Sequence, residues 1–156
     1  GCNLGGLLVV SIAISACGSD GDGGAGSGGG GPLVDQCVSE PDASLVSSGD
    51  LIAAAQTCGG ECLNLLLNLF GGDVTDANKE AAASCMRDCI VANPDAAGVS
   101  AECAQCYGNS AACGSSSQCV CTNRTSCGCV DCLVQTGCQA GLDSCTGVTY
   151  DFTCTN

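Results

Sequence analysis

The chain has 156 residues, with eighteen cysteines, no histidine and no tryptophan, and sixteen acidic side chains against three basic ones give a formal charge of −13. That balance argues against a nucleic-acid or anionic-lipid surface, because no basic stripe exists to neutralise phosphates. The missing imidazole excludes the Ser-His-Asp and Cys-His forms of nucleophilic catalysis, and haem attachment through C-x-x-C-H with them.

Cysteine at this density places the chain in an oxidising compartment, extracellular or at a cell surface, where bridges stand in for a poor core. The core is expected to be poor because Phe70, Tyr107, Tyr150 and Phe152 are the whole aromatic set. Much of the remaining apolar content is alanine and cysteine, which offer little area each. Closing a loop of about 15 residues with a disulfide contributes roughly 3 kcal/mol in the chain-entropy account. Several closures therefore replace much of the missing burial, and the even count permits full pairing within one chain.

Three regions follow in order: an apolar arm over 1–17, a glycine-rich linker over 18–32 and a stapled body over 33–156. Residues 4–16 read LGGLLVVSIAISA, which is shorter than the roughly 20 residues of a transmembrane helix. As extended chain this run puts Leu8, Val10, Ile12 and Ile14 on one face, and its β-branched residues favour that form. A helix in a filament core is the other form open to it. The following GSDGDGGAGSGGGGP cannot bury enough side chain to fold alone. A sticky strand on a loose tether needs a receiving surface. Strand addition into a neighbouring copy supplies one, and such head-to-tail contacts build filaments when they do not close. Cys2 and Cys17 bracket the run and are placed to bridge to the receiving copy.

Ile14-Ser15-Ala16-Cys17, after its apolar run, resembles the lipobox of bacterial lipoproteins. The resemblance implies cleavage before Cys17, lipid on Cys17 and a spacer in the glycine segment. Membrane contact is expected only through that lipid. Asp20-Gly21-Asp22 offers calcium a weak site at most, since it lacks the twelve-residue pattern of an EF-hand.

In the body, Asp50 is read as capping a helix from Leu51 through Phe70, weakened at Gly59-Gly60 and stopped by Gly71-Gly72. Thr75 or Asp76 caps the next, which Asn93-Pro94 ends. Cys58 and Cys62 are four apart, as are Cys85 and Cys89, so each pair shares a helix face. Over 50–92 the two helices make an antiparallel hairpin, naturally bridged as Cys58–Cys89 and Cys62–Cys85. This arrangement resembles the twin C-x3-C helical hairpins of several small stapled proteins. That likeness implies a scaffold and no activity.

The cysteine-dense part, 99–156, opens with a helix over 99–112. The C-x-C steps at Cys119/Cys121 and Cys127/Cys129, around TNRTS, suit a tight turn or short hairpin. A helix over 131–141 and a final strand in TGVTYDFTCTN complete the expectation. The fold class expected is thus a small disulfide-rich, mainly α-helical body with short β segments, an extended N-terminal arm and a glycine-rich tether.

Cys103/Cys106 and Cys129/Cys132 match C-x-x-C, but with so many competing cysteines they read as structural bridges, not a zinc or iron–sulfur site. No metal, no other cofactor and no catalytic residue are expected. Asn123-Arg124-Thr125 is an N-glycosylation acceptor.

The function expected first is a non-catalytic structural subunit of an extracellular fibre or coat, a homopolymer built by insertion of the arm. A surface lipoprotein anchored at Cys17, its body a binding module, is the alternative. A secreted cysteine-rich toxin or inhibitor is the third.

Overall fold

The computed structural model describes residues 33–119 and 126–150. Among these stand α1 (Asp42–Ser48), α2 (Asp50–Glu61), α3 (Leu63–Phe70), α4 (Asp76–Ala92), a 3-10 turn (Pro94–Ala96), α5 (Ala101–Ser116), α6 (Cys127–Gln135) and α7 (Cys138–Thr146).

The helix limits have local causes. Thr75 is extended and its side chain accepts from the Asn78 amide, so α4 starts there. Asn93, ahead of Pro94, has ψ 127° and cannot prolong it. Ser100 caps α5 by accepting from the Cys103 amide at 3.1 Å. The run expected as one helix from Leu51 to Phe70 is broken at Cys62, which has φ −91° and ψ 12°. Gly59 and Gly60, in the last turn of α2, make that break cheap.

α5 is the centre of the body, packed on α4, α3 and α7. A Cβ at Gly108 of α5 would collide with the Ala83 carbonyl of α4, so the two backbones approach as closely as this glycine permits. Ala82, Ala83, Ala104, Ala111 and Ala112 are buried with it. Larger side chains fill the remainder: Leu51, Leu66, Leu69, Met86, Ile90, Leu142 and Tyr107 are all fully buried. The Tyr107 and Tyr150 hydroxyls share a hydrogen bond at 2.5 Å, which lets a buried phenol keep a partner.

Six bridges cross-link these helices: Cys37–Cys103, Cys58–Cys89, Cys62–Cys85, Cys106–Cys145, Cys113–Cys138 and Cys119–Cys132. Cys127 and Cys129 are disulfide-bonded as well. The order of the paired residues makes α2 antiparallel to α4, and α5 antiparallel to α7.

The start of the body is tied to its last described helix. The amides of Asp35, Gln36 and Cys37 donate to the carbonyls of Ser144, Cys145 and Thr146 at 3.1, 2.8 and 3.3 Å. These are carbonyls that the end of α7 leaves without partners of its own. Gly147 then turns away at φ +77°, with Val38 and Asp35 pressed where a Cβ would stand.

The packing divides into two clusters. The main one holds the carbon side chains named above. The second consists of Cys119, Cys129, Leu133 and Cys138, with Cys113 and Cys132 packed against it. Burying one leucine contributes about 2 kcal/mol, whereas fixing each backbone residue costs about 1–2 kcal/mol. Nine-residue α6 is therefore held mainly by sulfur.

Two expectations are corrected. No strand stands among the described residues. The Cys127/Cys129 step lies in α6, where residues two apart are separated by about 200° around the axis. A C-x-C pair thus points to opposite sides of a helix, whereas in a strand both cysteines would share one face. The expected final strand is also absent over its described part. Thr146 ends α7, Gly147 turns in the left-handed region, and 148–150 join no sheet. The expected helix over 131–141 is two helices, parted at Gly137 with φ +74°. The arm residues Cys2, Leu8, Val10, Ile12, Ile14 and Cys17, the Asp20/Asp22 pair and the Asn123 acceptor lie outside the described residues, as do Cys121 and Cys154.

Candidate functional site

The cysteines expected at the hairpin are joined across it. Cys58 bonds Cys89 and Cys62 bonds Cys85, with Cα atoms 5.7 and 6.0 Å apart. Cys58 and Cys62 are buried, while Cys85 and Cys89 are half-buried on the α4 side. All fourteen described cysteines are in disulfides. The C-x-x-C pairs do not converge: Cys103 goes to Cys37, Cys106 to Cys145 and Cys132 to Cys119. A described thiolate is thus offered neither to a metal nor to a substrate. Among the described residues no three acidic or sulfur side chains gather to hold an ion. No described helix is long and apolar enough to cross a membrane.

One concavity is an open cleft of about 350 Å³ where α2, the end of α4 and the 3-10 turn meet. The Cys89 sulfur, Ala92 and Pro94 line it together with Glu61, Asp95, Thr57 and Asn93. The Asn93 side chain is already engaged, accepting from the Asp95 amide at 2.9 Å. The Glu61 and Asp95 carboxylates stand exposed at the rim near the negative end of α4. Such a cleft favours positive charge, but it is shallow and its acids are solvated. A smaller recess of about 160 Å³ lies among Leu33, Arg87, Ala101, Glu102 and Gln105. Arg87 is committed there, its guanidinium donating to Asp88 at 2.7 Å and to Gln105 at 3.2 Å.

Asp42 and Ser110 are among the polar side chains buried in the interior. Asp42 is 3 % exposed, and its carboxylate accepts from both the amide and the hydroxyl of Ser100. Because Ser100 also caps α5, this buried acid ties α1 to the start of the central helix. The Ser-x-x-Cys run before α5 carries the cap signal, but no local pattern reveals its distant partner. Ser110 is fully buried and its hydroxyl has no hydrogen-bond partner. An unmet hydroxyl costs about 1–3 kcal/mol. Ser110→Ala is therefore expected to leave stability unchanged or raise it by about 1 kcal/mol, read from urea unfolding of the oxidised protein. A loss above that size would show that the hydroxyl has a partner.

The chain matches no protein-family model, no curated protein and no solved structure. What the geometry describes is a covalently closed scaffold with an acidic surface, carrying no preassembled reaction centre among its described residues.

Proposed function

We propose that the chain is a surface-displayed binding module held through Cys17, with the glycine-rich segment as spacer and the stapled body as the presented part. The observation that carries this reading is the way the body begins. Its residues are fixed from 35 onward by three backbone hydrogen bonds to the end of α7, and Cys37 is bridged to Cys103. All six bridges named above close between residues 37 and 145. The body is thus closed upon itself directly after the linker, as a cargo at the end of a tether would be. Ile14-Ser15-Ala16-Cys17 supplies the attachment chemistry at the other end of that linker.

Assembly by strand addition has less support. It requires a sheet edge to receive the arm, and the described residues present helices only. The role proposed is non-catalytic, in keeping with the absence of histidine and the committed cysteines. An exposed surface this rich in carboxylates favours partners that are cationic.

The test is intact mass and fractionation of the full chain from a bacterial host. Anchoring predicts a species beginning at Cys17 with added acyl mass in the membrane fraction, and Cys17→Ser moves the body to the soluble fraction. Retention of residues 1–16 without acyl mass, above all in a polymeric species, would overturn this reading in favour of a structural subunit.

A further inference from the structure

We infer that Cys119 and α6 form a redox-releasable lobe, freed when a dithiol reduces its bridges while α2 to α5 stay folded. The inference is independent of how the chain is anchored. The only buried side chains of α6 are Cys129 and Leu133. Val134, which could have added carbon contacts, is 60 % exposed. Of the helices, α6 packs chiefly on α7, and the cluster between them is cysteine but for Leu133. The main cluster differs in kind: beside its cysteines it holds Leu51, Leu66, Leu69, Met86, Ile90 and Tyr107, whose carbon contacts do not pass through sulfur.

Within these bridges the sulfurs open to attack are those of Cys113 and Cys132, half-buried like Cys85 and Cys89 of the hairpin, whereas their partners Cys138 and Cys119 are buried. A thiolate of the reductant attacks one of these sulfurs, forms a mixed disulfide and expels the partner cysteine, which takes a proton. The second thiol of the reductant then closes its own ring and releases the first cysteine as a thiol. Each bridge thus takes two electrons and two protons, and one dithiol becomes one cyclic disulfide. Cys127 and Cys129 are bridged too, so full release includes their reduction. Among the described residues, what then holds the lobe is a short helix with one buried leucine, too little to keep it docked.

The test is a dithiothreitol titration of the oxidised full chain without denaturant, quenched with N-ethylmaleimide and mapped by mass, with hydrogen exchange in parallel. The expected result is labelling of Cys113, Cys119, Cys127, Cys129, Cys132 and Cys138 while Cys37, Cys103, Cys106 and Cys145 are still bridged and α2 to α4 stay protected. Exchange across 127–135 should rise at least about tenfold while the centres of α4 and α5 keep their protection. Simultaneous labelling with global loss of protection would overturn the inference, as would an α6 that stays protected once its cysteines are labelled. Cys119→Ala, Cys127→Ala, Cys129→Ala and Cys132→Ala together, with the other bridges kept oxidised, give an independent reading: exchange should rise in α6 alone. An α6 protected as in the parent chain would also overturn it.

Discussion

Replacing Cys37 and Cys103 together by alanine is expected to cost about 4 kcal/mol, among the largest effects open to a single bridge in this body. The bridge closes a loop with a sequence separation of 66, against 31 for Cys58–Cys89 and 13 for Cys119–Cys132. The entropy removed from the unfolded chain grows with the logarithm of that length. Both sulfurs are fully buried, so their loss also leaves space in the core. The local consequence should be as distinctive as the global one. Residues 35–37 lose their covalent hold, and the carbonyls of Ser144, Cys145 and Thr146 lose donors when that segment departs. Urea unfolding of the oxidised double variant gives the first quantity, and exchange of the Gln36 and Cys37 amides gives the second. A loss below about 1 kcal/mol would mean that the bridge does not constrain the unfolded chain as the entropy account requires.

Gly108→Ala should destabilise by about 1–2 kcal/mol, although alanine is the better helix former. Propensity alone favours the change by about 1 kcal/mol. Against it stands the Ala83 carbonyl, which the new Cβ would strike. The obstacle is backbone held within α4, so no side chain can swing aside, and α4 and α5 must separate. Overpacking of that kind typically costs about 1–3 kcal/mol before the propensity gain is counted. Gly60→Ala is the matched control, because its Cβ meets nothing within 4 Å. That variant should gain about 0.5–1 kcal/mol. Denaturation midpoints moving in the same direction for both would show that helix propensity, and not the seam between α4 and α5, governs position 108.

The hairpin is the part of the fold that a local pattern carries best. Two cysteines four apart occupy one face of a helix, and two such pairs on antiparallel helices admit one unstrained register, the register in which the bridges lie. The limits of α4 were legible for the same reason, since Thr75 and Asn93-Pro94 act within a turn of themselves, whereas Asp50 does not cap α2 but is its first residue, behind Gly49. Elsewhere the signal was ambiguous. The C-x-C steps suggested a turn or hairpin, and the residues that decided for helix in α6 were those placed against α7. α1 carries only Leu45 and Val46 as large apolar side chains, too few for a periodicity to show, and its Asp42 is buried by a contact with Ser100 from 58 residues further on.

Composition alone settled that this body would be held by sulfur: with so little aromatic and branched side chain, covalent closure is what makes folding affordable. It also settled the sign of the surface. Which sulfurs meet outside the hairpin, how closely α4 and α5 approach, and which lobe depends on its bridges were decided by packing in three dimensions. Those outcomes turn on volumes and distances between residues far apart in the chain, and such quantities leave no periodic trace in the order of the amino acids.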